Sequence, residues 1–177
     1  IPSVTVENKD GARRLVDHLL EVHGCRSVGY LRGPAGHEDS AWRELGFRGS
    51  LEAHGLDPDA APVGTGDFSA AGGEACVAGW LAAGRSVDAI FAGDDASAVG
   101  ALRALDRAGR RSVAVVGFDD IDEAVHTNPP LTTMAVNPRR QGELASQLLL
   151  KRLVNRSAPP TNHIILPELI VRGSTVG

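Results

Sequence analysis

Residues 87–120 read VDAIFAGDDASAVGALRALDRAGRRSVAVVGFDD, and the fold follows from this stretch. Val87 to Ala92 is an apolar run of strand length. Asp94 or Asp95 then stands as a helix N-cap, Ala98, Leu102 and Leu105 recur on one helical face, and Gly109 ends the helix before a second strand over Val113 to Val116. Two strands joined by a helix of this length form a βαβ unit, which calls for parallel pairing with the helix packed on the sheet.

The same alternation extends in both directions. Towards the start, Val4 to Val6 reads as a strand end, Ala12, Leu15, Val16 and Leu19 mark a helix stopping at Gly24, and Val28 to Leu31 is a strand. After the Gly33-Pro34 turn, a helix carrying Trp42, Leu45 and Leu51 ends near Gly55. A short strand near Val63 leads through Gly66-Asp67-Phe68 to Ser69, an N-cap for a helix with Cys76, Val77, Trp80 and Leu81. Towards the end, Asn128-Pro129-Pro130 precedes a strand over Leu131 to Met134. Asn137-Pro138 then opens a helix carrying Leu144, Leu148 and Leu149. Ala158-Pro159-Pro160 reads as a linker, followed by short strands at Ile164 to Leu166 and Leu169 to Val171. The class is α/β: an open, doubly wound, mostly parallel sheet flanked by helices.

Glycine and polar residues cluster directly after predicted strands, at Gly33 to Asp39, Asp67-Phe68, Gly93 to Asp95 and Gly117 to Asp120. Ligands of open α/β sheets bind outside the carboxyl ends of the strands, so these loops define one crevice. Asp94-Asp95 and Asp119-Asp120 each stand at a predicted helix start. One member of each pair is expected to cap the helix while the other accepts hydrogen bonds from a ligand. Arg43 lies one turn into a helix beside the crevice, where a guanidinium either recognises ligand oxygens or is a surface group. Phe68, in a chain with 4% aromatics, either stacks on an apolar ligand face or fills the core.

Other chemistries find no motif. Gly64-x-Gly66-x-x-Ser69 lacks the third glycine of a dinucleotide fingerprint, no GxxxxGK[ST] or GxSxG occurs, and none of the six histidines falls in an HExxH pattern. Cys25 and Cys76 lack CxxC spacing and read as reduced thiols, so neither a metal nor a cofactor is expected. No apolar run is long enough to span a membrane. A net charge of -4 with scattered arginines argues against a phosphate-gripping face in these residues.

The motifs form an ordered set: Ile1-Pro2-Ser3-Val4 with Asn8 to Gly11, Val28 to Pro34, Arg43-x-x-Gly46-Phe47, Gly66-Asp67-Phe68-Ser69 and Ile90 to Asp95. Gly100 to Leu105, Val-Val-Gly-Phe-Asp-Asp at 115–120, Asn128 to Met134, and Leu166-Pro167-Glu168 to Arg172-Gly173-Ser174 complete it. This order and spacing resembles the lactose/galactose repressor family of bacterial transcription regulators over essentially the whole chain. The resemblance implies a periplasmic-binding-protein-like core whose two α/β halves clamp a small effector, a sugar or a purine or nucleoside. It implies no catalysis, a cytoplasmic homodimer, and operator DNA bound only through an N-terminal helix-turn-helix domain absent from this chain.

By the same resemblance, Arg43, Phe68, Asp94, Asp119 and Val136 occupy effector-contacting positions. Asp94 stands where the family commonly has Asn, and Val136 where a polar residue occurs. Residues 9–128 and 161–177 are expected to form the C-terminal half of the core, and 1–8 and 131–157 to be pieces of the N-terminal half. The dimer surface is expected on the helix with Val99 and Leu102 and around Thr127. The helix with Leu144, Leu148 and Leu149 is expected to expose an apolar stripe. A periplasmic sugar-binding protein shares the clamp and is the competing reading.

Overall fold

A strand buried on both faces needs apolar residues at successive positions, because neighbouring side chains point to opposite sides of the sheet. Strands β2 (Val28–Arg32), β4 (Ala89–Ala92) and β5 (Ala114–Asp119) meet this condition. In the computed structural model, which describes residues 2–155 and 159–175, they form the centre of a six-stranded sheet. Ile1, the first linker residue Ala158 and the last two residues of the 161–177 segment lie outside the described residues.

Alternate residues divide the strands between two cores. Tyr30, Phe91, Val116 and Phe118 face helices α1 (Asn8–Glu21) and α2 (Glu38–Ala53), whereas Leu31, Ile90, Ala92 and Val115 face α3 (Ala70–Ala82) and α4 (Asp95–Arg107). On the first side Tyr30, Phe47 and Phe91 form an aromatic cluster, with the Phe47 and Phe91 ring centroids 5.0 and 5.2 Å from that of Tyr30.

The sheet is completed by β3 (Val63–Thr65), β6 (Thr132–Ala135) and β8 (Glu168–Ile170), in the order β3-β2-β4-β5-β6-β8. All pairs are parallel except β6–β8. The expected doubly wound, mostly parallel sheet is therefore present. A separate two-stranded parallel sheet joins β1 (Ser3–Val6) to β7 (Asn162–Ile165), with α5 (Pro138–Val154) beside it. The caps read from sequence also form: Ser69 accepts from the Gly72 N–H, and Asn137 from the Arg140 N–H with Pro138 at the start of the helix.

The sheets divide the chain at different places from the boundaries expected at 131 and 161. β6 lies inside the large sheet, where its ladder to β5 is reinforced by the Ser174 hydroxyl, which accepts from the Thr132 N–H and donates to the Val115 carbonyl. β7 pairs with β1 instead, so residues 161–177 contribute to both sheets. α5 has no buried residue. Leu149, Leu150 and Leu153 are exposed, while Leu148 lines a cleft with Val4.

The face of α2 also differs from expectation. Trp42 and Leu45 are exposed, and the buried face consists of Ser40, Arg43, Gly46, Phe47, Ser50 and Leu51. Contact with α1 explains this: the Ser50 hydroxyl donates to Asp17 at 2.6 Å, and the backbone at Gly46 lies so close to α1 that a Cβ would stand 2.2 Å from the Lys9 carbonyl oxygen. Gly46→Ala forces the two helices apart. It is expected to destabilise the chain by about 1–3 kcal/mol despite the better helix propensity of alanine. Urea unfolding checks this, and an unchanged midpoint contradicts the packing argument.

Candidate functional site

Strands β2, β3, β4 and β5 run parallel, so the four loops after them emerge at one end of the sheet. The chain passes from β2 outward to β3 and then across to β4 on the other side of β2. This reversal marks the switch point between β2 and β4, at whose carboxyl ends open α/β sheets form their ligand crevice.

Arg43 projects from α2 into this end of the sheet and is 6% exposed. Its Nε donates to Asn8 Oδ1 at 2.8 Å, its Nη1 to the Gly93 carbonyl, and its Nη2 to Asp119 Oδ1 at 3.2 Å. The guanidinium carbon lies 3.9 Å from the centre of the Phe118 ring, in cation–π contact. Asn8 continues the network by donating to Asp39 Oδ1 at 2.9 Å. One side chain thus links α1, α2 and the ends of β4 and β5, and Arg43 is no surface arginine.

The carboxylates divide their roles differently from the expected cap-and-ligand pairs. Asp94 caps α4 by accepting from the Ala96 and Ser97 N–H groups, while Asp95 is fully buried, accepting from the Thr133 hydroxyl at 2.6 Å and the Ile121 N–H at 3.0 Å. Asp95 therefore ties the loop after β5 to β6 and does not face a ligand. In the second pair neither member caps a helix: Asp119 meets Arg43, and Asp120 forms a 2.7 Å ion pair with Arg172. Asp119 is the more open of the Arg43–Asp119 pair, with its side chain about one third exposed (34%).

Burial pushes the Asp95 carboxyl up to about 6, against its hydrogen bonds from Thr133 and Ile121. Burial likewise pushes Asp119 up to about 7, against the pull of Arg43 and with help from the Asp95 and Asp94 charges. Asp94 is raised by burial as well.

Phe68 is half-buried at the crevice edge. Its ring lies against Gly33, where a Cβ would come within 2.3 Å of it, and the His37 ring meets it edge-on at 5.0 Å. Both Asp67 and Phe68 have left-handed φ, 55° and 51°, as do Asp119 at 120° and Asp120 at 58°. Val136 is packed into the core with Phe118 and Met134 and does not join the polar network. Asn8, Asp39, the Gly93 carbonyl and Phe118 do join it, although their residue types alone do not single them out. Asn8 has one visible signal, an amide at the start of an otherwise apolar-faced helix. Among the described residues no three His, Cys, Asp or Glu side chains are grouped to hold a metal ion, and no helix is long and apolar enough to cross a membrane.

The periplasmic binding protein-like domain matches residues 16–175. The chain belongs to this family. Its similarities lie in the LacI-type branch. It is 33% identical to the HTH-type transcriptional regulator CelR of Thermobifida fusca over 97% of this chain and 51% of that protein. A CelR–cellobiose complex superposes with a TM-score of 0.88 at 30% identity, over 98% of this chain and 54% of that one. A structure from Sanguibacter keddieii assigned to the LacI family of transcriptional regulators is 33% identical, with a TM-score of 0.87 over 100% of this chain and 71% of that one. A lac repressor dimer bound to operator and the anti-inducer ONPF gives a TM-score of 0.89 at 28% identity, over 99% of this chain and 53% of that one. The chain spans about half the length of the curated relatives it matches.

The LacI-type core thus carries a buried, desolvated carboxylate in its framework, with a measurable consequence. Because the carboxyl of Asp95 titrates near 6 when folded and near 3.9 when unfolded, the folded state holds the extra proton between those values. Its contribution to stability is present at pH 4 and is lost as pH rises through 6. Asp95→Asn removes that dependence while keeping an acceptor and a donor in place. Relative to the unsubstituted chain, the variant is expected to gain about 1–2 kcal/mol between pH 5 and pH 7.5. Urea unfolding at the two pH values measures this, and a pH-independent difference contradicts the assignment.

Proposed function

We propose that this chain is the effector-sensing core of a cytoplasmic bacterial transcription regulator, binding a small hydroxyl-rich molecule, most simply a sugar, without catalysis. The observation that carries the reading is the Arg43–Asp119 pair at the crevice of the sheet. It sets a fixed donor beside a partly open acceptor, as a vicinal diol requires. Asp119 accepts a ligand hydroxyl, Arg43 donates through N–H groups beyond the three already engaged, and Phe68 offers its ring to the apolar face of a sugar. Asp94 acts behind them, holding the first turn of α4 beside the crevice. Val136 supports the floor and is left out of the contacting set.

In this proposal β2 to β6 and β8 with α1 to α4 form one half of a clamp, while β1, β7 and α5 belong to the second half. Closure on the effector changes the relation of the halves, and a helix-turn-helix segment outside these residues reads the operator. The regulator acts as a homodimer through the surface around Val99, Leu102 and Thr127. The named relatives are regulators, which favours this reading over a periplasmic sugar-binding protein.

A thermal-shift screen of the full-length protein against sugars tests the proposal. A ligand present at 100 times its Kd adds about 2.7 kcal/mol of apparent stability. Arg43→Ala is expected to weaken that ligand by at least ~30-fold, because it removes one partner of a buried charge-assisted contact. Phe68→Ala, which leaves the Arg43 network intact, is expected to weaken it by about 10-fold. A full shift in both variants rules the site out.

A further inference from the structure

Resting on the effector reading above, we infer that the crevice built around Arg43 selects uncharged ligands and rejects phosphorylated or carboxylated ones. An α/β crevice ordinarily has two devices for holding an anion, a free guanidinium or ammonium and the exposed N–H groups of a helix start. Here this chain's own carboxylates meet the Arg43 and Arg172 guanidiniums and the start of α4.

Three guanidiniums at this end of the sheet each have a carboxylate partner. Arg32 pairs with Glu44 at 2.8 Å, Arg43 with Asp119, and Arg172 with Asp120. Arg139 and Arg140, which follow β6, both pair with Glu143. The Arg43 guanidinium is held on three of its edges, by Asn8, Gly93 and Asp119, and on one face by Phe118. An incoming anion would have to share Arg43 with the Asp119 carboxylate, in the field of the nearby Asp94.

The start of α4 is filled by a carboxylate. Both Asp94 oxygens accept from the first turn of α4. No side chain caps the start of α2, but Glu38 and Asp39 put negative charge in its first turn, and the Ser69 hydroxyl caps α3. Among the described residues neither Asp39 nor Asp94 forms an ion pair: the first accepts from the Asn8 amide and the second from backbone N–H groups. The crevice therefore carries more negative than positive charge close to Arg43, in surroundings that screen it poorly. A neutral hydroxyl can donate to these carboxylates, whereas a phosphate dianion in its place is repelled by them.

The test is isothermal titration of the full-length protein with three matched pairs: ribose and ribose 5-phosphate, glucose and glucose 6-phosphate, and cellobiose and cellobiose 6-phosphate. The neutral member of at least one pair is expected to bind, with its phosphorylated partner at least ~30-fold weaker. A phosphorylated member that binds as tightly as its neutral partner, or more tightly, overturns the charge inference and leaves the effector reading standing. Failure of all six overturns the effector reading and this inference with it. Asp94→Asn, which preserves an N-cap, separates charge from shape and is expected to narrow the neutral-to-phosphorylated ratio about 5–10-fold. An unchanged ratio in that variant overturns the assignment of the rejection to the crevice carboxylates.

Discussion

A guanidinium buried as deeply as Arg43 has to be met donor for donor, and the rest of the crevice is arranged around that requirement. Its four partners come from three parts of the chain. Asn8 opens α1, Gly93 follows β4, Asp119 ends β5, and Phe118 beside it supplies the ring beneath. Since none of these partners is near Arg43 in sequence, the network forms only when α1 and α2 are packed on one face and β4 and β5 are in register. Removing the cation leaves an amide, a carbonyl and a carboxylate in poorly hydrated surroundings, so the site and the packing of this layer are one structure.

The neighbouring carboxylates keep that cation from being the sole fixed charge. Asp95 anchors the loop after β5 to Thr133 of β6, and Arg172 draws Asp120 away from the crevice while also donating to the Leu131 carbonyl. The closing segment reinforces this, because Ser174 bridges β5 and β6 through its hydroxyl. Asp119 is thus held between two buttressed neighbours, and its orientation follows from contacts to β6 and to the segment after β8. That explains why β6 belongs with the large sheet: its polar side chains, Thr132 and Thr133, complete a hydrogen-bond set that begins on α4 and on the segment following β8.

Sequence periodicity identified what depends on local pattern. The parallel strands, the Ser69 and Asn137-Pro138 caps and the four loops at one end of the sheet are legible because each is fixed by residues within a few positions of one another. The buried face of α2 is not legible in this way. Its inward residues are polar or small, and their partners lie 35 positions away for Arg43–Asn8 and 33 for Ser50–Asp17. A hydrophobic pattern instead selects Trp42 and Leu45, which face outward. Asp95 misleads for the same reason: a carboxylate at a helix start reads as a cap or a ligand contact, and only the Thr133 hydroxyl, 38 positions on, shows it to be a strut. Val136 stands at a position suggested by family resemblance, yet packing against Phe118 and Met134 places it in the core.

The loops that carry the crevice also hold the backbone in unfavourable conformations. Asp67, Phe68, Asp119 and Asp120 all have left-handed φ, a region costing a non-glycine residue roughly 1–2 kcal/mol. Such conformations persist where surrounding contacts over-determine them. Here those contacts are the fit of Phe68 on Gly33, the Ser69 cap, and the Arg43–Asp119 and Arg172–Asp120 pairs. The strain is therefore compensated by folding, before any ligand arrives. The entropy of ordering the aromatic ring and the Arg43–Asp119 pair is then a cost of folding and not of binding, which favours affinity for a rigid ring of matching geometry. A crevice fixed in this way has little freedom to rearrange internally, so under the proposed effector reading a response to ligand arises outside it, where β1, β7 and α5 make few contacts with the large sheet.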